Sequence, residues 1–174
     1  MQRVSFRDMN CSVAQALEVV GEWWSLLVVR DALLGVSRFD DFHRRLGISR
    51  NVLNDRLGRL VDEGVLEKVA YQDHPPRYDY VLTEKGRGLW EVLDAMRRWG
   101  DRWAAPPDGP PMELVHRACG HHVTPTLHCD RCGEPLAQGD VRLVYGPGAD
   151  ERSPGLPERG VQVDRAASAP AGRR

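Results

Sequence analysis

Phe39-Asp40-Asp41-Phe42-His43-Arg44-Arg45-Leu46-Gly47-Ile48-Ser49-Arg50-Asn51-Val52-Leu53 is the stretch on which the fold turns. Phe39, Phe42 and Leu46 recur at i, i+3 and i+7, which is one face of a helix. Gly47 breaks that helix. Ser49 caps the next one, whose Val52, Leu53, Leu57, Leu60 and Val61 face inward until Gly64 ends it. Two amphipathic helices joined by a short Gly-bearing turn make a helix-turn-helix. The second helix of such a pair fits a DNA major groove.

The flanking sequence extends the pattern. Upstream, Ser12 with Gln15 reads as a capping box ahead of Val13, Ala16, Leu17 and Val20, closed by Gly21. Trp23 to Leu34 is strongly apolar and reads as a buried helix stopping at Gly35. Downstream, Val65–Tyr71 and the alternating Tyr78, Tyr80 and Leu82 read as two strands around the turn Gln72-Asp73-His74-Pro75-Pro76. Thr83 caps a last helix running to about Trp103. This order predicts a mainly α protein with a small β-hairpin (α+β), a winged helix-turn-helix. Residues 1–105 form that DNA-binding and dimerisation domain. Residues 106–111 are a Pro-rich linker, 112–145 a small zinc-ribbon-like metal-knuckle module, and 146–174 a disordered tail.

The charge balance looks at first unhelpful to a nucleic-acid partner. The 174 residues hold 24 Lys+Arg and 25 Asp+Glu, a net charge of -1. Residues 1–105 carry 16 basic and 16 acidic side chains, and the remainder 8 and 9. Any affinity for nucleic acid must therefore come from the local arrangement of these charges. Arg38, Arg44, Arg45, Arg50, Arg56 and Arg59 gather in one stretch, against Asp40, Asp41 and Asp55. On a helical wheel of about 100° per residue, Asn51, Asp55, Gly58 and Asp62 lie opposite the apolar face, and Asn54, Arg56 and Arg59 flank it. Asn reads adenine, and Arg reads guanine or pairs phosphate. The free N–H groups of the helix start at Ser49 suit a phosphate. The expected DNA-contacting set is Arg38, Ser49, Arg50, Asn51, Asn54, Asp55, Arg56 and Arg59, with His74 and Arg77 at the wing tip.

As a set, several motifs carry a family resemblance. They are Cys11, Gly21-Glu22-Trp23-Trp24, Arg38-Phe39, Gly47-Ile48-Ser49, Leu53-Asn54-Asp55-Arg56-Leu57, Gly64-Val65-Leu66, Pro75-Pro76-Arg77-Tyr78-Asp79-Tyr80 and Leu82-Thr83-Glu84-Lys85-Gly86. Over residues 10–103 the chain resembles the HxlR-type bacterial transcription regulators. The resemblance implies a dimeric winged-helix DNA-binding protein related to the MarR group, with its recognition helix on Ser49 to Glu63. Such proteins often carry Lys after the glycine at position 21, where this chain has Glu22.

The last helix predicts how two copies meet. Leu89, Leu93, Met96, Gly100 and Trp103 recur at steps of 4, 3, 4 and 3, a coiled-coil-like seam widened by Val92 and Trp99. Part of this face packs within the chain, and the rest suits a homodimer interface of Leu89, Leu93, Met96, Trp99 and Trp103. Two recognition helices would then meet half-sites of a near-palindromic operator about one helical turn apart.

The cysteines suggest further chemistry. Cys11 directly precedes a helix start, where the dipole favours a thiolate. The resemblance implies a candidate redox site there, because some family members sense oxidants or electrophiles through an N-terminal cysteine. A small buried cysteine packed near the dimer interface is the plainer reading. His116-Arg117-Ala118-Cys119-Gly120 and Cys129-Asp130-Arg131-Cys132-Gly133 repeat one motif: donor, two residues, Cys, Gly. That spacing turns two side chains onto one tetrahedral ion, and the glycine allows the turn beneath the sulfur. A closed structural zinc site of His116, Cys119, Cys129 and Cys132 is expected. His121, His122 or His128 remain alternatives to His116, and a metal-free Cys129/Cys132 redox pair remains an alternative to zinc. The module has little apolar content, so metal would supply folding energy that a core cannot.

No apolar run approaches the roughly 20 residues of a membrane helix, and the N-terminus lacks a signal-peptide core. A cytoplasmic protein with no membrane partner is expected. No catalytic motif stands out, so no enzyme is expected. The leading expectation is a sequence-specific regulator whose partners are double-stranded DNA, a second copy and a small-molecule effector. One rival is a thiol- or metal-responsive sensor acting through Cys11 or the C-terminal cysteines. The other, from a different class, is a protein-interaction module that does not bind DNA.

Overall fold

A computed structural model describes residues 5–149. Its elements are α1 (Ser12–Val20), α2 (Trp23–Leu33), α3 (Phe39–Leu46), α4 (Arg50–Asp62), β1 (Leu66–Gln72), β2 (Arg77–Leu82) and α5 (Glu84–Trp103). The tail expected from Gly146 onward lies outside the described residues except for a turn at 146–149. The Gly148 carbonyl there accepts from Asn10 Nδ2 at 3.1 Å.

Most boundaries follow from local chemistry. Gly47 ends α3 at φ +65, and its N–H returns to the His43 carbonyl at 3.0 Å. Left-handed backbone of that kind is cheap only for glycine. Ser49 Oγ accepts from the Val52 N–H at 3.3 Å and Thr83 Oγ1 from the Gly86 N–H at 3.1 Å, so both expected caps form. The expected capping box at Ser12 does not form. Cys11 is the N-cap of α1 and gives no side-chain cap bond, with Ser12 already inside the helix. Gln15 turns away, and its Nε2 donates to the carbonyls of Phe6, Arg7 and Met9. The N-cap N–H, that of Cys11, donates to the Met9 carbonyl at 2.9 Å instead.

The core sits where α2, α4 and the hairpin meet. Val28, Val29, Phe42, Leu53, Leu57, Leu60 and Val65 are fully buried. Each such side chain contributes about 1.5–3 kcal/mol on leaving water. The expected burial of α2 holds on one side only: Ser25, Val28, Val29 and Asp31 are buried, whereas Trp23 projects into solvent. β1 and β2 pair antiparallel from Leu66↔Leu82 to Gln72↔Arg77. Arg38 adds a bridge to Asp79, and the Tyr80 N–H donates to the Ser37 carbonyl at 2.8 Å. The chain before α3 thereby becomes a short third edge of the wing.

α5 is fastened to the α4–β1 junction. Thr83 Oγ1 donates to the Gly64 carbonyl at 2.7 Å, and Lys85 Nζ to the Glu63 carbonyl at 2.6 Å. Gly86 sits against the Val65 carbonyl so closely that a Cβ would lie 2.2 Å from its oxygen. Among the described residues no single helix is long and apolar enough to cross a membrane. Beyond Trp103 none of the described side chains is buried.

Candidate nucleic-acid interface

The first turn of α4 stands clear of the core. Ser49, Arg50, Asn51, Asn54 and Asp55 are exposed, while Leu53 and Leu57 on the opposite face are fully buried. Arg50 lies over the Phe39 ring at 4.8 Å, and its Nη2 is 2.9 Å from Asp40 Oδ1. Both charged side chains of that pair are more than half exposed, so water screens the attraction and a phosphate can displace the carboxylate. α4 therefore presents two amide side chains, one exchangeable guanidinium and a free helix N-terminus.

The wing continues this surface. Arg38 stacks on Tyr71 at 4.6 Å from the ring centre, with its Nε 3.8 Å from Asp79. A solvent-open cleft of about 450 Å3 separates the α3–α4 corner from the hairpin, lined by Arg38, Arg50, Tyr71 and Arg77 among others. His74 and Arg77 are exposed on the hairpin. Among the described residues no carboxylate pairs with Arg77.

Two of the expected DNA-contacting arginines point elsewhere. Arg56 Nη2 lies 3.6 Å from Glu22 Oε2, and Arg59 Nη2 lies 3.7 Å from Glu18 Oε1. Their side chains are only 22% and 25% exposed. They strap α4 to α1 and to the start of α2. Arg45 likewise turns to the buried Asp31, at 3.1 Å, and Arg44 pairs with Asp41. Within the arginine-rich stretch Arg56 and Arg59 are thus turned inward, whereas Arg38, Arg44 and Arg50 keep more than half of their side chains in water. Arg77 on the hairpin adds a further exposed cation. Glu22 is thus an ion-pair partner of Arg56.

The apolar face of α5 divides as its width suggested. Leu89 and Leu93 are half-buried against the core. Val92, Met96, Trp99 and Trp103 are 45%, 52%, 65% and 65% exposed, and Val13 and Leu17 of α1 are 68% and 44% exposed. Trp99 and Trp103, with Met112 and Val123, line a second cleft of about 750 Å3 between α5 and the C-terminal module.

All four cysteines are free. Cys11 is half-buried at the α1 N-cap. In the C-terminal module His116 Nδ1 is 3.1 Å from Cys119 Sγ. The Cys129 thiol is drawn below its ordinary pKa by main-chain hydrogen bonds from Cys132 and Arg131 and by the Cys132 side chain. Among the described residues these donors form two pairs, and no three His, Cys, Asp or Glu side chains share one point.

A helix-turn-helix with an attached hairpin, presenting amide and guanidinium groups from the second helix, defines the winged-helix class of DNA-binding regulators. Within it the chain belongs to the HxlR-like helix-turn-helix family, which matches residues 19–108. It is 44% identical over 145 residues to the uncharacterized HTH-type transcriptional regulator Rv3095 of Mycobacterium tuberculosis, covering 83% of this chain and 92% of that protein. Among solved structures it is similar to PA1607, a candidate transcription factor, with 38% identity and a TM-score of 0.73 over 82% of this chain and 100% of the other. PA1374 of Pseudomonas aeruginosa, also a candidate transcription factor, gives 42% identity and a TM-score of 0.60 over 81% and 96%. These likenesses are longer than the winged-helix unit and therefore extend into the cysteine-bearing module. The family and these relatives are transcriptional regulators and not enzymes.

Proposed function

We propose that the chain binds a near-palindromic operator as a homodimer, reading bases with the first two turns of α4 and gripping backbone with the wing. The observation that carries this reading is the exposure of Arg50, Asn51, Asn54 and Asp55 over a helix face whose other side is fully buried. A rigid helix with a free polar edge meets the geometric need of major-groove readout. Ser49 and the α4 N-terminus take a phosphate, and Arg38, His74 and Arg77 reach the flanking backbone.

Dimerisation completes the reading. The exposed apolar side chains of α5, with Val13 and Leu17 of α1, form a face that a single protomer leaves in water. A second copy covers it by the seven-residue seam of α5. The near-neutral net charge fits such a protein, because bulk electrostatic attraction to DNA is weak and the site must select by contact.

Capture of genomic fragments by the purified chain, followed by sequencing, tests this. Enrichment of a two-fold motif supports the proposal. Capture without sequence preference contradicts it, and no capture even at low salt contradicts it in favour of a protein-interaction role.

A further inference from the structure

We propose that His116, Cys119, Cys129 and Cys132 close on one zinc ion that holds the C-terminal module folded. The module contains one backbone structure twice. The Gly120 N–H donates to the His116 carbonyl at 2.7 Å, and the Gly133 N–H to the Cys129 carbonyl at 2.9 Å. Both glycines take positive φ, +71 and +76. Each turn is closed by a short antiparallel bridge, Val115↔His122 in the first and His128↔Pro135 in the second. The supporting bonds also correspond: His116 N to His121 O at 2.9 Å, and Cys129 N to Glu134 O at 2.8 Å. A tight turn of this form offers two donors on one side. Two such turns supply the four corners of a tetrahedral ion.

The histidine is chosen by geometry. His116 Nδ1 faces a cysteine sulfur at 3.1 Å. His122 Nδ1 lies 2.8 Å from Glu113 and His128 Nδ1 3.3 Å from the Thr126 carbonyl, and among the described residues neither ring hydrogen-bonds a cysteine sulfur. Three thiolates and one imidazole are soft donors that favour zinc over magnesium or calcium. Four protein ligands leave no open position, so the ion serves structure and not catalysis.

Energetics point the same way. No described side chain beyond Trp103 is buried, and Met112, Val115 and Leu127 are each more than half exposed. A unit of about 35 residues without a core needs a staple, and none of its cysteines is in a disulfide. A zinc ion held by both turns ties one to the other and couples metal binding to folding.

The test uses the full-length chain purified without chelator. Elemental analysis is expected to find about one zinc per chain, retained in Cys11→Ser and lost in Cys129→Ser and Cys132→Ser. Because those variants can lose the module's fold, a second measurement titrates the metal-free parent with Co2+. Intense visible ligand-field bands and thiolate charge-transfer absorption, saturating at one equivalent, report a tetrahedral thiolate-rich site. His116→Ala is expected to shift those bands, and His122→Ala to leave them unchanged. A parent chain that neither retains zinc nor gives tetrahedral cobalt bands overturns the proposal, as does equal metal loss in Cys11→Ser.

Discussion

Arg59 reaches from α4 to α1, where its guanidinium donates to the Glu18 main-chain carbonyl and lies 3.7 Å from the Glu18 carboxylate. That contact makes Arg59 a strut of the fold. Arg59→Met is expected to lower the unfolding free energy by about 1–2 kcal/mol, the scale of a charge-assisted hydrogen bond at a partly exposed site. Urea unfolding reads the loss, and the salt dependence of DNA binding is expected to stay unchanged. An unaltered midpoint with weakened DNA binding would return Arg59 to the interface.

Gly86 marks where α5 meets the hairpin. A Cβ there would lie 2.2 Å from the Val65 carbonyl oxygen and 2.8 Å from Leu82 Cδ2. Backbone cannot give way as a side-chain tip can, so Gly86→Ala is expected to cost more than about 2 kcal/mol. Gly58 on α4 has open space around it. Gly58→Ala is expected to gain about 0.5–1 kcal/mol from helix propensity alone. Thermal unfolding of the two variants should therefore move in opposite directions.

Trp99 separates dimerisation from protomer folding. It is 65% exposed in the single chain, so Trp99→Glu leaves the protomer's core intact and places a charge in the proposed seam. Light scattering is expected to fall from a dimer mass to a monomer mass while helical content persists. Operator affinity should fall at least about tenfold, because two linked half-sites become one. A monomer mass for the unchanged chain at micromolar concentration would remove the dimer from the account.

Arg77 is a wing cation that no carboxylate pairs with among the described residues. Arg77→Ala is expected to weaken binding to all DNA sequences alike and to reduce the slope of log affinity against log salt by about 1. Anisotropy titrations over a range of salt measure it. An unchanged slope would take the wing tip off the phosphate backbone.

Much of the fold was legible because its signals are local. Gly47, Gly64, Ser49 and Thr83 act within a turn of themselves, and the structure puts each where the sequence implied. Leu53, Leu57 and Leu60 recur at helical spacing and are all fully buried. The capping box failed because the helix begins one residue early, with Cys11 at the cap and its N–H already donated to the Met9 carbonyl, while Gln15 Nε2 is held by Phe6, Arg7 and Met9. A capping rule does not weigh such competition.

The interface was only half legible, for a similar reason. A helical wheel gives angle and not reach. Arg56 and Arg59 lie on the flanks of the apolar stripe, from which a long side chain can turn outward or inward. Their partners Glu22 and Glu18 belong to other elements and come near only once the chain folds. The counter-ions of Arg44 and Arg50, Asp41 and Asp40, lay close in sequence and were visible as charges, though not as pairs. The two cysteine turns could be read from spacing, because their hydrogen bonds are internal to each. How the two turns stand relative to one another could not, because no described side chain between Gly120 and Cys129 is buried to dictate it.

The most direct test of the central claim compares the parent chain and Asn54→Ala on a selected genomic fragment and on bulk DNA at one fixed salt concentration. Asn54→Ala is expected to lose about 1–3 kcal/mol on the selected fragment, the scale of one base-reading contact, and to keep the parent's affinity for bulk DNA. Equal affinity of the two proteins for the selected fragment would contradict it, because α4 would then not be the element that reads sequence.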